Sequence, residues 1–168
     1  LENVYNDRGL LESLGRGGYT PDGARQAQSY RFTYDTFGNT TAISVGDRQL
    51  ASYDYAPKNG LLSRQNYGNG AYTAFSYDDL GRAAKTETSS GDVYDYVYTG
   101  DGQLYSLRDN NGTSSTADDI FYRYQYDSLG RLIHSVQSQG GKTQLRGSYQ
   151  YDDSNRVKSF GYSIPGLI

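Results

Sequence analysis

The sequence predicts an all-β chain of stacked antiparallel hairpin repeats that form one long, twisted, spiralling sheet. Three observations predict it. Tyr and Gly are abundant, at 19 and 21 of 168 residues, and Tyr favours strands as Gly favours turns. Aromatic residues recur at every second position in short runs, the period that places side chains on one face of a strand. One short motif then returns along the chain, and self-similarity at such a spacing marks a repeat architecture.

The motif begins at an anchoring tyrosine. It reads Tyr34-Asp35-Thr36-Phe37-Gly38-Asn39, Tyr77-Asp78-Asp79-Leu80-Gly81-Arg82, Tyr98-Thr99-Gly100-Asp101-Gly102-Gln103, Tyr126-Asp127-Ser128-Leu129-Gly130-Arg131 and Tyr151-Asp152-Asp153-Ser154-Asn155-Arg156. A degenerate copy, one residue longer, starts at Tyr55, and another starts at Tyr5 ahead of Gly9-Leu10-Leu11. From Tyr34 onward the anchors are 21, 22, 21, 28 and 25 residues apart.

Each element follows from this frame. The incoming strands carry Tyr30-x-Phe32-x-Tyr34, Tyr53-x-Tyr55, Phe75-x-Tyr77, Tyr94-x-Tyr96-x-Tyr98, Tyr122-x-Tyr124-x-Tyr126 and Tyr149-x-Tyr151. The Asp after the anchor accepts from the N–H two residues on and nucleates a type I turn. The Gly three residues after that Asp closes the hairpin in the left-handed conformation with a bulge. Asn155 stands in for Gly in the last copy, and Asn tolerates that conformation best after Gly. Outgoing strands are expected at 39–45, 82–88, 103–108, 131–138 and 156–162. A second kind of turn is expected at Gly46-Asp47, Gly68-Asn69-Gly70, Ser89-Ser90-Gly91-Asp92 and Gln139-Gly140-Gly141-Lys142. Two strands and two turns use up a 21-residue unit, so no step requires a helix. A lone hairpin is marginal, so the hairpins pair edge to edge.

The Tyr-Asp-x-x-Gly-Arg-Leu pattern, seen best at Tyr126–Leu132 and at Tyr77–Arg82, resembles the YD-repeat (RHS-repeat) family. Tyr67-Gly68-Asn69-Gly70 is similar to that family's turn between motifs. The resemblance covers about residues 30–162 and extends in weaker form over 1–168. It is a family of bacterial polymorphic toxins, wall-associated proteins, insecticidal toxin complex subunits and teneurins. What it implies is an open segment of a YD-repeat shell, secreted or at the cell surface, that encloses a C-terminal polypeptide, often a toxin. The family's C-terminal core with its aspartate autoprotease has no counterpart in these residues, and six or seven repeats are fewer than a closed shell needs. The lack of any Met gives the expectation of a piece of a longer protein.

The domain organisation expected is a degenerate leading repeat and linker at 1–29, the hairpin array at 30–162 and a tail at 163–168. Cys is absent, which excludes disulfides and thiol chemistry. The net charge of −3, with no Lys/Arg cluster, argues against nucleic acid as a partner. No apolar stretch approaches the roughly 20 residues of a membrane-spanning helix. Mean hydropathy is low at −0.80, but regularly placed aromatics are foreign to disordered chains.

His134, the one histidine, has no nucleophile or orienting acid near it in sequence, and a surface role is expected. Asp35, Asp78, Asp127 and Asp152 could be acids or metal ligands, yet turn capping accounts for their fixed spacing. Arg82, Arg131 and Arg156 are expected to pair with those carboxylates or to stack on neighbouring rings. The oxygen-rich run from Asp109 to Asp119 partly echoes a calcium loop, but its spacing is wrong and no Glu closes it. It is read as an extended hairpin loop in which a change at Gly112 should matter less than one at the hairpin glycines. Gly15-Arg16-Gly17-Gly18 lacks the Lys-Ser/Thr of a phosphate loop and is read as irregular linker. The expectation is therefore a scaffold with no catalytic, cofactor-binding or metal residues and no cofactor. Its partner would be the polypeptide that it encloses, and its exposed terminal edges should promote self-association. The alternative is an extracellular module whose tyrosine face recognises glycan or a cell-surface protein.

Overall fold

The computed structural model describes residues 2–19, 21–23 and 25–166. Leu1, Thr20, Ala24, Leu167 and Ile168, which fall in the expected leading segment and tail, lie outside the described residues. The fold is all-β. The strands are β1 (Glu2–Tyr5), β2 (Leu11–Tyr19), β3 (Arg25–Tyr34), β4 (Thr40–Val45), β5 (Arg48–Tyr55), β6 (Leu62–Tyr67) and β7 (Tyr72–Tyr77). They continue as β8 (Ala83–Thr88), β9 (Val93–Tyr98), β10 (Leu104–Asp109), β11 (Ile120–Tyr126), β12 (Leu132–Gln139), β13 (Lys142–Tyr151) and β14 (Val157–Ser163). They form a single 14-stranded sheet in strict sequence order. Because β1 and β14 are its two ends, the sheet is open. The chain divides into two compact units, Leu1–Ala74 and Phe75–Ile168.

The expected strands are present to within a residue or two at each end. The exception is the leading segment: Gly15–Gly18, read as linker, lies inside β2 and pairs with Gln26–Ser29 of β3. A run of small residues carries little strand signal of its own. The long, regular register with β3 supplies what propensity does not.

The Asp-x-x-Gly turns are built as their chemistry dictates. Gly38 N–H donates to Asp35 O at 3.2 Å and Asp35 N–H to Asn39 O at 3.0 Å, with Gly38 at φ 93°. The register slips between Thr33 and Tyr34, which is the bulge. Gly81, Gly102, Gly130 and Asn155 repeat the arrangement at φ 77°, 87°, 79° and 61°. Gly130→Val should lower the unfolding free energy by about 1–2 kcal/mol, because a β-branched residue resists positive φ; urea denaturation of the variant measures this. Four of the turns at the other end of the hairpins are of two kinds. Gly46-Asp47 and Gly140-Gly141 are two-residue loops, closed by the pairs Val45–Arg48 and Gln139–Lys142. Tyr67–Ala71 and Thr88–Asp92 instead copy the bulged geometry of the Asp turns, with Asn69 Oδ1 accepting from Ala71 N–H at 3.0 Å.

One layer of sheet has no dense centre: Ala51 is the one buried hydrophobic residue among those described. In β11 the half-buried Tyr122, Tyr124 and Tyr126 alternate with exposed Phe121, Arg123 and Gln125. Tyr suits such a face, since its ring covers backbone while its hydroxyl remains bonded or wet.

Candidate functional site

The chemistry of this chain is concentrated in a joint between successive hairpins. In five incoming strands the anchor tyrosine reaches back to the preceding hairpin and donates its hydroxyl to the carbonyl of the first residue of the outgoing strand there. Tyr34 reaches Leu11 O at 2.7 Å and Tyr55 reaches Thr40 O at 2.8 Å. Tyr98 reaches Ala83 O at 2.9 Å, Tyr126 reaches Leu104 O at 2.9 Å and Tyr151 reaches Leu132 O at 2.8 Å. Burial pushes the Tyr55 and Tyr126 hydroxyls above the ordinary phenol value, so they remain donors. The period-two pattern located these rings in the sequence; it did not say where the hydroxyls would bond.

The turn carboxylates and arginines complete the joint. Asp127 Oδ1 accepts from Leu129 N–H at 3.0 Å and Arg131 N–H at 2.9 Å, while its Oδ2 takes Arg131 Nε at 2.7 Å. Arg131 then lies over the ring of Tyr151 at 4.6 Å. Asp78 and Arg82 repeat this, with Arg82 4.5 Å from the centroid of Tyr98. In the first hairpins Asn39 replaces Arg and binds Asp35 Oδ2 at 2.9 Å. Arg8 supplies the cation there, donating to Asp35 O and Thr36 O at 2.9 and 3.0 Å. A carboxylate holds an arginine, the arginine covers the ring of the next anchor, and that ring's hydroxyl bonds back to the residue after the arginine.

This network depresses the turn carboxyls. Asp127 sits below its ordinary value, first through the Arg131 side chain and then through backbone N–H groups. Asp35 is lowered chiefly by the Asn39 side chain and Asp152 by the Arg156 N–H. At Asp78 burial is the largest influence and raises the value, but bonds from Arg82 and Leu80 together outweigh it. A depressed carboxyl contributes stability above its unfolded value, and that contribution is lost as pH falls through the folded one. The melting temperature should therefore be level above about pH 5 and fall steeply below about pH 4. Circular dichroism melts across this range test it, and the doubly substituted Asp78→Asn/Asp127→Asn protein should show a shallower acid slope.

The long loop is ordered by two buried residues. Asn110 is 8% exposed and Asp119 2%. Asn110 Oδ1 accepts from Val93 N–H at 2.8 Å and Gly112 N–H at 3.1 Å, and its Nδ2 donates to Gly91 O and Thr113 O, both at 2.9 Å. Arg108 joins Asp119 at 2.6 Å and Asp95 at 2.7 Å. Asp118 takes the Thr113 hydroxyl at 2.8 Å and Asp109 caps Asn111 N–H at 2.8 Å. The loop carboxylates thus turn to separate partners. Gly112, where a change was expected to matter less than at the hairpin glycines, has φ 67°, and a Cβ there would stand 3.1 Å from Asp92 Oδ1. The sequence pattern gives no sign of either constraint.

His134 is exposed on β12, opposite Gln125 and Ser148. Beside Gly17, the side chains of Leu14, Arg16, Tyr30, Phe32, Ile43 and Leu50 line an open hollow of about 750 Å³. Phe37, Leu80 and Leu129 occupy the same turn position and are 89%, 74% and 69% exposed.

No protein-family model and no curated protein sequence matches the chain. Solved toxin-complex structures do. The crystal structure of TcdB2-TccC3-Cdc42 aligns with a TM-score of 0.76 at 17% identity, over 97% of this chain and 9% of the matched one. TcdB2-TccC3 without its hypervariable C-terminal region gives 0.74 at 18% identity, over 98% and 9%. The Photorhabdus luminescens Tc holotoxin pore gives 0.71 at 18%, over 97% and 9%. The fold is thus that of a stretch of these toxin-complex chains, as the YD-repeat motifs led one to expect, and the chain spans about 9% of their length.

Proposed function

We propose that this chain is a structural wall segment of a larger secreted or cell-surface toxin-type protein, that it helps to enclose and shield a polypeptide, and that it performs no chemistry itself. The observation that carries the reading is the repeated joint. One set of contacts, anchor tyrosine to carbonyl and arginine to ring, returns from hairpin to hairpin and serves to extend a sheet. Carboxylates that an enzyme would use for proton transfer are spent on N–H groups and arginines, so they are poor acids or bases near neutral pH. Likeness to long toxin-complex chains supports placing the segment within a larger shell.

Limited proteolysis of the full-length parent tests this. A polypeptide behind an intact wall should resist protease, and Tyr98→Ala/Tyr126→Ala in the wall should expose it. Equal cleavage in both proteins would overturn the reading.

The hollow around Arg16, Tyr30 and Phe32 favours one second reading, glycan recognition, because aromatic faces beside a hydrogen-bonding cation suit sugar rings. Saccharide-dependent Tyr fluorescence that disappears in Phe32→Ala would support it.

A further inference from the structure

We propose that the polar face of β11, β12 and β13 binds an acidic polysaccharide, one whose sugar rings carry carboxylates. That face lies wholly within the Phe75–Ile168 unit and shares no residue with the hollow around Arg16. Its chemistry does not depend on what the wall encloses. Each of the three strands is paired on both sides, so the face is complete within this chain.

Local charge there runs against that of the chain. The net charge is −3, yet from Ile120 to Tyr151 the cations Arg123, Arg131, Lys142 and Arg146 stand against one carboxylate, Asp127. Arg131 already holds that carboxylate. Because the cations are spread over three strands, they form no cluster along the sequence. Strand pairing brings two of them together: Arg123 and Arg146 are the cross-strand partners of Val136 on either side. They therefore share a face, two strand spacings or about 10 Å apart across the sheet. Both are exposed, and among the described residues neither guanidinium has an ion pair or a hydrogen bond. In β10, Arg108 is the partner of Phe121 and binds Asp95 and Asp119, so those carboxylates are not left to neutralise Arg123.

Hydrogen-bonding groups and one ring make up the rest of the face. The row Phe121–Ser138–Thr143 runs on one side of Arg123–Val136–Arg146, and Gln125–His134–Ser148 runs on the other. Among the described residues, the side chains of Gln125, His134, Ser138, Thr143 and Ser148 have no hydrogen-bond partner. Phe121 is 37% exposed. With Arg123, Val136, Ser138, Gly141 and Thr143 it lines a hollow of about 390 Å³.

This set of groups selects the ligand. A guanidinium grips a carboxylate through two parallel N–H donors, with a directionality that an ammonium lacks. Backbone groups of interior strands are consumed by the ladder, so recognition falls to side chains alone. A peptide finds no free edge to extend and no apolar groove to fill, the two modes by which sheets and grooves capture peptides. A sugar acid is served at every point. Its carboxylate meets Arg123 or Arg146, its ring lies on Phe121, and its hydroxyls meet Ser138, Thr143 and Gln125.

Isothermal titration calorimetry of the chain with tetragalacturonate tests the assignment. Binding should saturate. The fully methyl-esterified oligomer keeps the rings and loses the charge, and it should bind about tenfold more weakly or worse. Hexaglutamate, which has more charge and no sugar ring, should also bind more weakly than tetragalacturonate. Arg123→Gln and Arg146→Gln should each cost about tenfold in affinity, with circular dichroism unchanged. Arg16→Gln should leave binding as it was, which separates this face from the other hollow. Four results would overturn the proposal: no binding at millimolar tetragalacturonate, an ester that binds as well as the acid, hexaglutamate binding as tightly or more so, or a folded Arg123→Gln/Arg146→Gln protein that matches wild type.

Discussion

Asn110→Ala should lower the unfolding free energy by about 2–3 kcal/mol, among the largest losses from any single side chain. The amide is nearly enclosed and makes four bonds at once, to Val93, Gly112, Gly91 and Thr113. Two of these tie the long loop to the turn between β8 and β9, and two hold the loop's own bend. Truncation strands the Val93 N–H at the mouth of β9, and an unmade bond at such a site costs about 1–3 kcal/mol. The partners at Gly112 and Thr113 are exposed and turn to water, which keeps the total below a simple sum. Thr116→Ala, in the same loop but exposed, should change stability by less than about 0.5 kcal/mol. Denaturant titration of the two variants separates a loop ordered by one buried amide from a loop that is merely long. Equal midpoints would contradict the assignment.

Gly68→Ala should cost about the same, for a reason unrelated to turn conformation. Gly68 N–H donates to Leu50 O at 2.7 Å, so the turn leaving β6 is pressed against the start of β5. A Cβ at Gly68 would collide with Gln49 O and stand 3.2 Å from Leu50 O and 3.3 Å from Leu50 Cα. All three are backbone atoms, so no rotamer change relieves the clash and the strands must part. Forced overpacking of this kind costs about 1–3 kcal/mol. Gly100 is the control: nothing lies within 4 Å of its would-be Cβ, and Gly100→Ala should be close to neutral. A loss at Gly100 to match that at Gly68 would show that the close approach is not what matters.

These two residues mark the boundary of what the sequence could tell. Hairpin order, turn positions and the capping role of Asp35, Asp78, Asp127 and Asp152 were legible because each rests on local chemistry. Spacing also placed Arg82 and Arg131 within reach of their carboxylates and of neighbouring rings. Gly68 was legible as a turn residue, but its contact with Gln49 lies across the hairpin and has no local signature. Asn110 sat in a run of small polar residues indistinguishable from a solvated loop, since nothing nearby in sequence announces that Gly91 and Val93 will face it. Gly15–Gly18 failed in the opposite sense: weak strand propensity concealed a strand that long-range pairing enforces. The tyrosines show both sides together. Their alternation gave the face, while the carbonyls of Leu11, Thr40, Ala83, Leu104 and Leu132 became partners only once hairpins lay side by side.

One joint, repeated, holds hairpin to hairpin. A Tyr→Phe scan tests it most directly, because it removes a hydroxyl and leaves the ring. By urea denaturation, Tyr34→Phe, Tyr55→Phe, Tyr98→Phe, Tyr126→Phe and Tyr151→Phe should each cost about 1 kcal/mol, the usual worth of one such bond. Tyr105→Phe, at a residue that is 46% exposed and outside the joint, should cost almost nothing. A uniform step at the five anchors with none at Tyr105 is the predicted result; anchors that behave like Tyr105 would contradict it.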